Sequence, residues 1–123
     1  MTTLSLELSK ELQSVCKEKN IPMPESDWIH GRYGVNVHIC QSVCNPDEIL
    51  APAYTLCELL GWLPSKIDID GIIYEKTLLF SYAQNQYEAS YLHGMHLMIY
   101  HYDTNPCDAC GKLLIWLIKE NLL

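Results

Sequence analysis

The closing segment of the chain constrains its fold more than any other. Residues 105–119 read as a helix, with Asn105 at the N-cap, Pro106 at the first helical position, Asp108 near the positive end and Lys119 near the negative end. Leu113, Leu114, Trp116, Leu117 and Ile118 leave little of this helix polar. A helix apolar nearly all round must be covered nearly all round, so it belongs deep in a core. A chain of 123 residues can supply that cover once, with no room for a second core. Residues 1–123 are therefore expected to form a single domain.

The remaining segments suggest what does the covering. Leu4, Leu8, Leu12 and Val15 recur at helical spacing over residues 4–19, with Glu7, Lys10, Glu11 and Glu18 off that stripe. Thr3 or Ser5 is placed to cap this helix, and Asn20, Pro22 and Pro24 stop it. Residues 28–40 read as a β-hairpin that bends at Gly31 and Gly34. A turn follows at residues 45–48. Residues 51–63 read as a short helix, with Pro52 in its first turn and Leu56, Leu59, Leu60 and Leu63 as its stripe. Residues 65–71 read as a loop or short extended piece. Residues 72–82 and 91–102 are rich in β-branched and aromatic side chains and read as an antiparallel pair of strands joined through residues 83–88. Both faces of the last strand are apolar, which suits a central position or one covered by a partner. The expected fold class is α+β: an antiparallel sheet of about four strands against two or three helices, in the order α-β-β-α-β-β-α.

Charge narrows the partners. The net charge is −7, and residues 25–110 carry eleven acids against Arg32, Lys66 and Lys76. A phosphate-binding face needs clustered Lys and Arg, so neither nucleic acid nor an anionic membrane surface is expected as a partner. Glu7 and Glu11 interrupt any apolar leader, and no apolar run is long enough to span a bilayer. The expected location is the cytoplasm, where the six cysteines stay reduced. Mimicry of DNA would need a denser acidic surface than this one.

Two segments carry a resemblance. Ala51-Pro52-Ala53-Tyr54-Thr55-Leu56-Cys57-Glu58-Leu59-Leu60, with Leu63-Pro64, resembles a block in small uncharacterised proteins encoded by bacteriophages and prophages. The ending Asn105-Pro106-Cys107-Asp108-Ala109-Cys110-Gly111-Lys112-Leu113-Leu114-Ile115-Trp116-Leu117 is similar to their closing helix, although Ala more often stands at the places of Cys107 and Cys110. Both are packing motifs. The resemblance implies a cytoplasmic accessory protein of a mobile element, and brings no activity or site residues with it.

The chemistry-bearing residues offer few constellations. Cys107-x-x-Cys110 with Cys40-x-x-x-Cys44, joined by His38 or His101, has the ligand types zinc prefers, so a small zinc-binding domain using Cys40, Cys44, Cys107 and Cys110 is the alternative reading. The bland reading makes these thiols small packing residues. A disulfide-exchange role would place the Cys107–Cys110 pair after an early strand rather than the last one. His30, His38, His93, His96 and His101 have no acid or nucleophile beside them in recognisable order, and Ser81 and Ser90 sit in no nucleophile elbow. Asp68-x-Asp70-Gly71 lacks the remaining ligands of a calcium loop. No cofactor and no enzymatic activity are expected. What remains is aromatic surface: Trp28, Trp62, Tyr91, Tyr100 and Tyr102 are the interface candidates. The sequence thus points to a protein that binds another protein or itself, a homodimer being the simplest case.

Overall fold

The structure is a computed structural model that describes residues 2–31, 34–37 and 49–123. Helix α1 (Leu6–Lys19) begins at Ser5, whose hydroxyl accepts from the Leu8 N–H at 3.4 Å, and ends on Asn20 in the left-handed conformation (φ 56°). Strands β1 (Trp28–Gly31), β2 (Gly34–Val37) and β3 (Ile49–Pro52) form an antiparallel sheet in the order β2-β1-β3. Helix α2 (Leu56–Trp62) follows. Strands β4 (Lys66–Ile69), β5 (Ile72–Ser81), β6 (Gln86–His93) and β7 (His96–Asp103) make a second antiparallel sheet in simple meander order. Helix α3 (Pro106–Lys119) closes the chain, capped by Asn105, whose side-chain oxygen accepts from the Cys107 N–H at 2.9 Å. The class is α+β, with every strand pair antiparallel.

Three readings of the sequence are revised. Residues 51–52 are not the start of α2 but the end of strand β3, where Pro52 pairs with Ile29. β3 is an edge strand of its sheet, and at an edge the missing proline N–H costs little. The helix begins instead at Thr55, which forms a capping box with Glu58. Residues 66–69 are a strand, because Asp70 and Gly71, both at positive φ (53° and 84°), close a tight β4–β5 hairpin. The long strand expected over residues 91–102 is two strands, folded back at Gly94 (φ 59°) and Met95. β7 is consequently an edge strand and not a central one. An antiparallel four-stranded sheet is present, but all its strands come from residues 66–103; the hairpin near residue 30 belongs to a separate three-stranded sheet, so the observed order is α-β-β-β-α-β-β-β-β-α. The turn read at residues 45–48 lies outside the described residues.

The core sits between the helices and one face of the meander sheet. Leu113, Leu114, Leu117 and Ile118 of α3 are fully buried against Leu12 of α1, Leu59 of α2, and Ala89 and Tyr91 of β6. Leu4 is threaded into the same core ahead of α1, its N–H donating to the Tyr54 carbonyl at 2.8 Å. It lies so close to α3 that a side chain at Gly111 would overlap its Cδ1. Two tyrosines are fully buried and both hydroxyls are satisfied: Tyr54 donates to the Pro24 carbonyl and Tyr91 to the Pro64 carbonyl, each at 2.5 Å. Burial drives both phenols well above their ordinary range. No helix is long and apolar enough to cross a membrane among the described residues.

Candidate interaction surfaces

The loop at residues 21–27 creates the first candidate surface. Pro22 and Pro24 stiffen it, and three side chains pin it. Tyr54 bonds to the Pro24 carbonyl, and the Ser26 hydroxyl donates to Glu58 Oε1 at 2.9 Å and to the Ala53 carbonyl at 3.2 Å. Glu58 Oε2 accepts from the Asp27 N–H at 3.1 Å, while its Oε1 also accepts from the Thr55 N–H at 2.9 Å. One carboxylate thus caps α2 and clasps the loop. Two hollows open beside the pinned loop. One, of about 300 Å³, has Trp28 and Leu50 in its wall, and the other, of about 570 Å³, has Trp62 and Gly61. Met23, Pro24 and Glu25 border both. Trp62 is held edge-on against Tyr54, ring centroids 5.5 Å apart.

The second surface is the outer face of the meander sheet. Register places Ile73, Thr77 and Leu79 of β5, Glu88 and Ser90 of β6, and Tyr100 and Tyr102 of β7 on the side away from the helices. Ile73, Leu79 and Tyr100 remain 43%, 42% and 50% exposed. Between these flanking side chains the central strand is closed off: Ser90 is fully buried and Glu88 is 7% exposed. The rings of Tyr100 and Tyr102 meet edge to face at 5.4 Å. Hydrogen bonding to Glu88 holds the Tyr102 phenol above its ordinary value, with slight desolvation adding to it. The outer edge of β7 carries no strand partner among the described residues.

No family model matches the chain, and no curated protein or solved structure matches it.

The sequence candidates thus separate. Trp28 and Trp62 come together around one loop, and Tyr100 and Tyr102 come together on one strand. Tyr91 belongs to neither surface: it is fully buried on the helix-facing side of β6, because alternation turns it inward while Ser90 turns outward. Cys107 and Cys110 are also fully buried, one turn apart on the inner side of α3. Burial pushes their thiols up to about 11 and about 12, assisted by Asp108 at Cys107 and by Cys107 itself at Cys110, where Lys76 pulls weakly the other way. Burial thus favours the protonated form of both thiols. Among the described residues no group of three or more potential metal ligands converges. His38, Cys40 and Cys44 lie outside the described residues.

Several other polar groups serve the fold. His30 Nε2 bonds to the Leu4 carbonyl at 2.6 Å, and His93 Nδ1 to the Ile73 carbonyl at 3.0 Å. Lys76, on the inner face of β5, donates to the carbonyls of Leu60 and Leu63 at 2.6 and 3.0 Å and so caps the end of α2. A hollow of about 290 Å³ beside β7 is lined by His101, Lys112, Lys119, Glu11 and Trp116. Its lysines are neutralised by Asp103 (2.8 Å) and Glu11 (3.5 Å). His101 Nε2 is buried there without a hydrogen-bond partner among the described residues, and desolvation, then Lys112, lowers its pKa. The groove itself was missed from sequence, although Thr55-x-x-Glu58 was a readable capping box and the two prolines marked a stiff loop.

Proposed function

We propose that this chain works by protein contact, associating with a second copy of itself edge to edge through β7. The observation that carries the reading is the edge of that strand, eight residues from His96 to Asp103 that have no strand partner on the outer side among the described residues, with Tyr100 half-exposed. An unpaired edge presents a row of backbone donors and acceptors, and natural edges are commonly blunted with lysine or proline. β7 has neither, and its one acid, Asp103, lies at its end. Two copies pairing antiparallel about Tyr100 would therefore set no like charges opposite each other, and would bring the Tyr100–Tyr102 ring pairs together across the seam. The resemblance to phage and prophage proteins supports reading the dimer as a cytoplasmic accessory factor of such an element.

Sedimentation velocity from about 1 to 100 μM tests this, the range in which a modest interface populates both states. A concentration-dependent dimer is expected, with Tyr100→Lys weakening it at least about tenfold by opposing two cations at the seam. A chain that stays monomeric throughout that range would end the proposal.

A further inference from the structure

The groove beside the pinned loop is made of residues that β7 does not supply, and its chemistry differs from that of the sheet edge. Its walls are aromatic and aliphatic, namely Trp28 and Leu50 on one side and Trp62 on the other. The charged groups bordering it are all acids: the exposed Glu25 borders both hollows, Glu58 borders the larger, and no lysine or arginine lines either hollow among the described residues. Both oxygens of Glu58 are engaged by the loop. Glu25 has no such engagement among the described residues and is left to meet a ligand. The loop is fixed by hydrogen bonds from Tyr54, Ser26 and Glu58, so the groove exists before anything binds and little ordering cost remains.

We propose that this groove takes an extended segment of another protein that carries arginine or lysine side chains next to aliphatic ones. The two hollows share Met23, Pro24 and Glu25 as a common border. A strand-like peptide places side chains i and i+2 about 7 Å apart on one side, so neighbouring side chains of one face can enter adjacent hollows. A guanidinium or ammonium lies on the face of Trp62 while its aliphatic stem covers apolar wall, and its charge is met by Glu25. The complementarity also argues against the nearest alternative occupants. Nucleic acid is repelled by the acids, and a second copy of this chain, with net charge −7, brings mostly more acid.

The test uses the full chain and a fluorescein-labelled decapeptide of arginine and leucine in a glycine–serine background, with an analogue carrying glutamine for arginine. Anisotropy is read at physiological salt, where diffuse charge attraction is screened. The arginine peptide is expected to bind at least about tenfold more tightly than its analogue. Trp62→Leu should weaken it about tenfold and Glu25→Gln about threefold or more. Glu75→Gln, on the outer face of β5, should leave it within about twofold. Absence of binding, no preference for arginine, or equal losses from Glu25→Gln and Glu75→Gln would each overturn the proposal. So would a dimer that Trp62→Leu dissociates in sedimentation, since the groove would then be filled by a second copy.

Discussion

Gly111→Ala tests the closest approach in the core. Gly111 lies inside α3, where alanine is ordinarily the better residue by about 1 kcal/mol. Here the added methyl would overlap Leu4 Cδ1. Leu4 is fully buried, and its backbone is tied on both sides, the N–H to the Tyr54 carbonyl at 2.8 Å and the carbonyl to His30 Nε2 at 2.6 Å. With the backbone held, relief must come from rotating the Leu4 side chain, and that side chain is fully buried, so the rotation has to displace packed neighbours. Overpacking of this kind costs about 1–3 kcal/mol, which cancels the propensity gain or exceeds it and leaves a net loss of up to about 2 kcal/mol. With a urea slope of about 2 kcal/mol/M the midpoint should fall by up to about 1 M at unchanged slope, where an unhindered Gly→Ala would raise it. Gly61→Ala is the internal control: Gly61 lies on α2, is exposed, and has open space where the methyl would go. It should stabilise by about 0.5–1 kcal/mol. In a double-mutant cycle, Leu4→Ala should remove most of the Gly111→Ala penalty, a coupling of at least about 1 kcal/mol. If Gly111→Ala and Gly61→Ala stabilise alike, the reasoning fails, because Leu4 would not be wedged against α3.

Three further outcomes follow from the side-chain network. Lys76→Met strips the C-terminal carbonyls of α2 of their donor and should cost about 1–3 kcal/mol in urea melts, with Lys76→Arg recovering part of it; a neutral Lys76→Met would refute the capping role. His101 has a folded-state pKa below its ordinary value, through burial and Lys112. Its contribution is complete above about pH 6.5 and declines as pH falls through that value towards the folded pKa, where the unfolded chain binds the proton first. His101→Phe should flatten the stability profile in that window, and an unchanged slope would count against it. Finally, iodoacetamide at neutral pH with peptide mapping should label the exposed Cys57 in the native chain and spare Cys16, Cys107 and Cys110 until the chain is unfolded; fast native labelling of Cys107 would contradict the core assignment.

The local elements were legible where one residue's chemistry sets a boundary. Asn105-Pro106 opens α3 and Ser5 opens α1, because capping needs only a nearby side-chain oxygen and orphan N–H groups. The largely apolar surface of α3 also foretold its burial, since covering it is the chain's largest single demand. Apolar runs concealed the rest. Residues 91–102 look continuous in sequence, yet Gly94 reverses the chain and turns an expected central strand into an edge. Pro52 suits both a first helical turn and an edge strand, and only pairing with Ile29 decides between them.

The candidate surfaces show the same division. Composition alone established that this is an acidic chain of net charge −7 with three tryptophans and eight tyrosines, because charge and residue type need no geometry. Which aromatics face outward was decided by strand phase and strand position: Tyr91, on the inner face of the interior strand β6, became core, while Tyr100, on the outer face of the edge strand β7, became surface. The joining of Trp28 and Trp62 around Glu25 came from a tertiary clasp between Glu58 and the loop, contacts across 31 and 32 positions of sequence. Sequence sets the periodicity and charge of each segment. The meeting of segments far apart in the chain depends on how they share one core, and no local pattern encodes that.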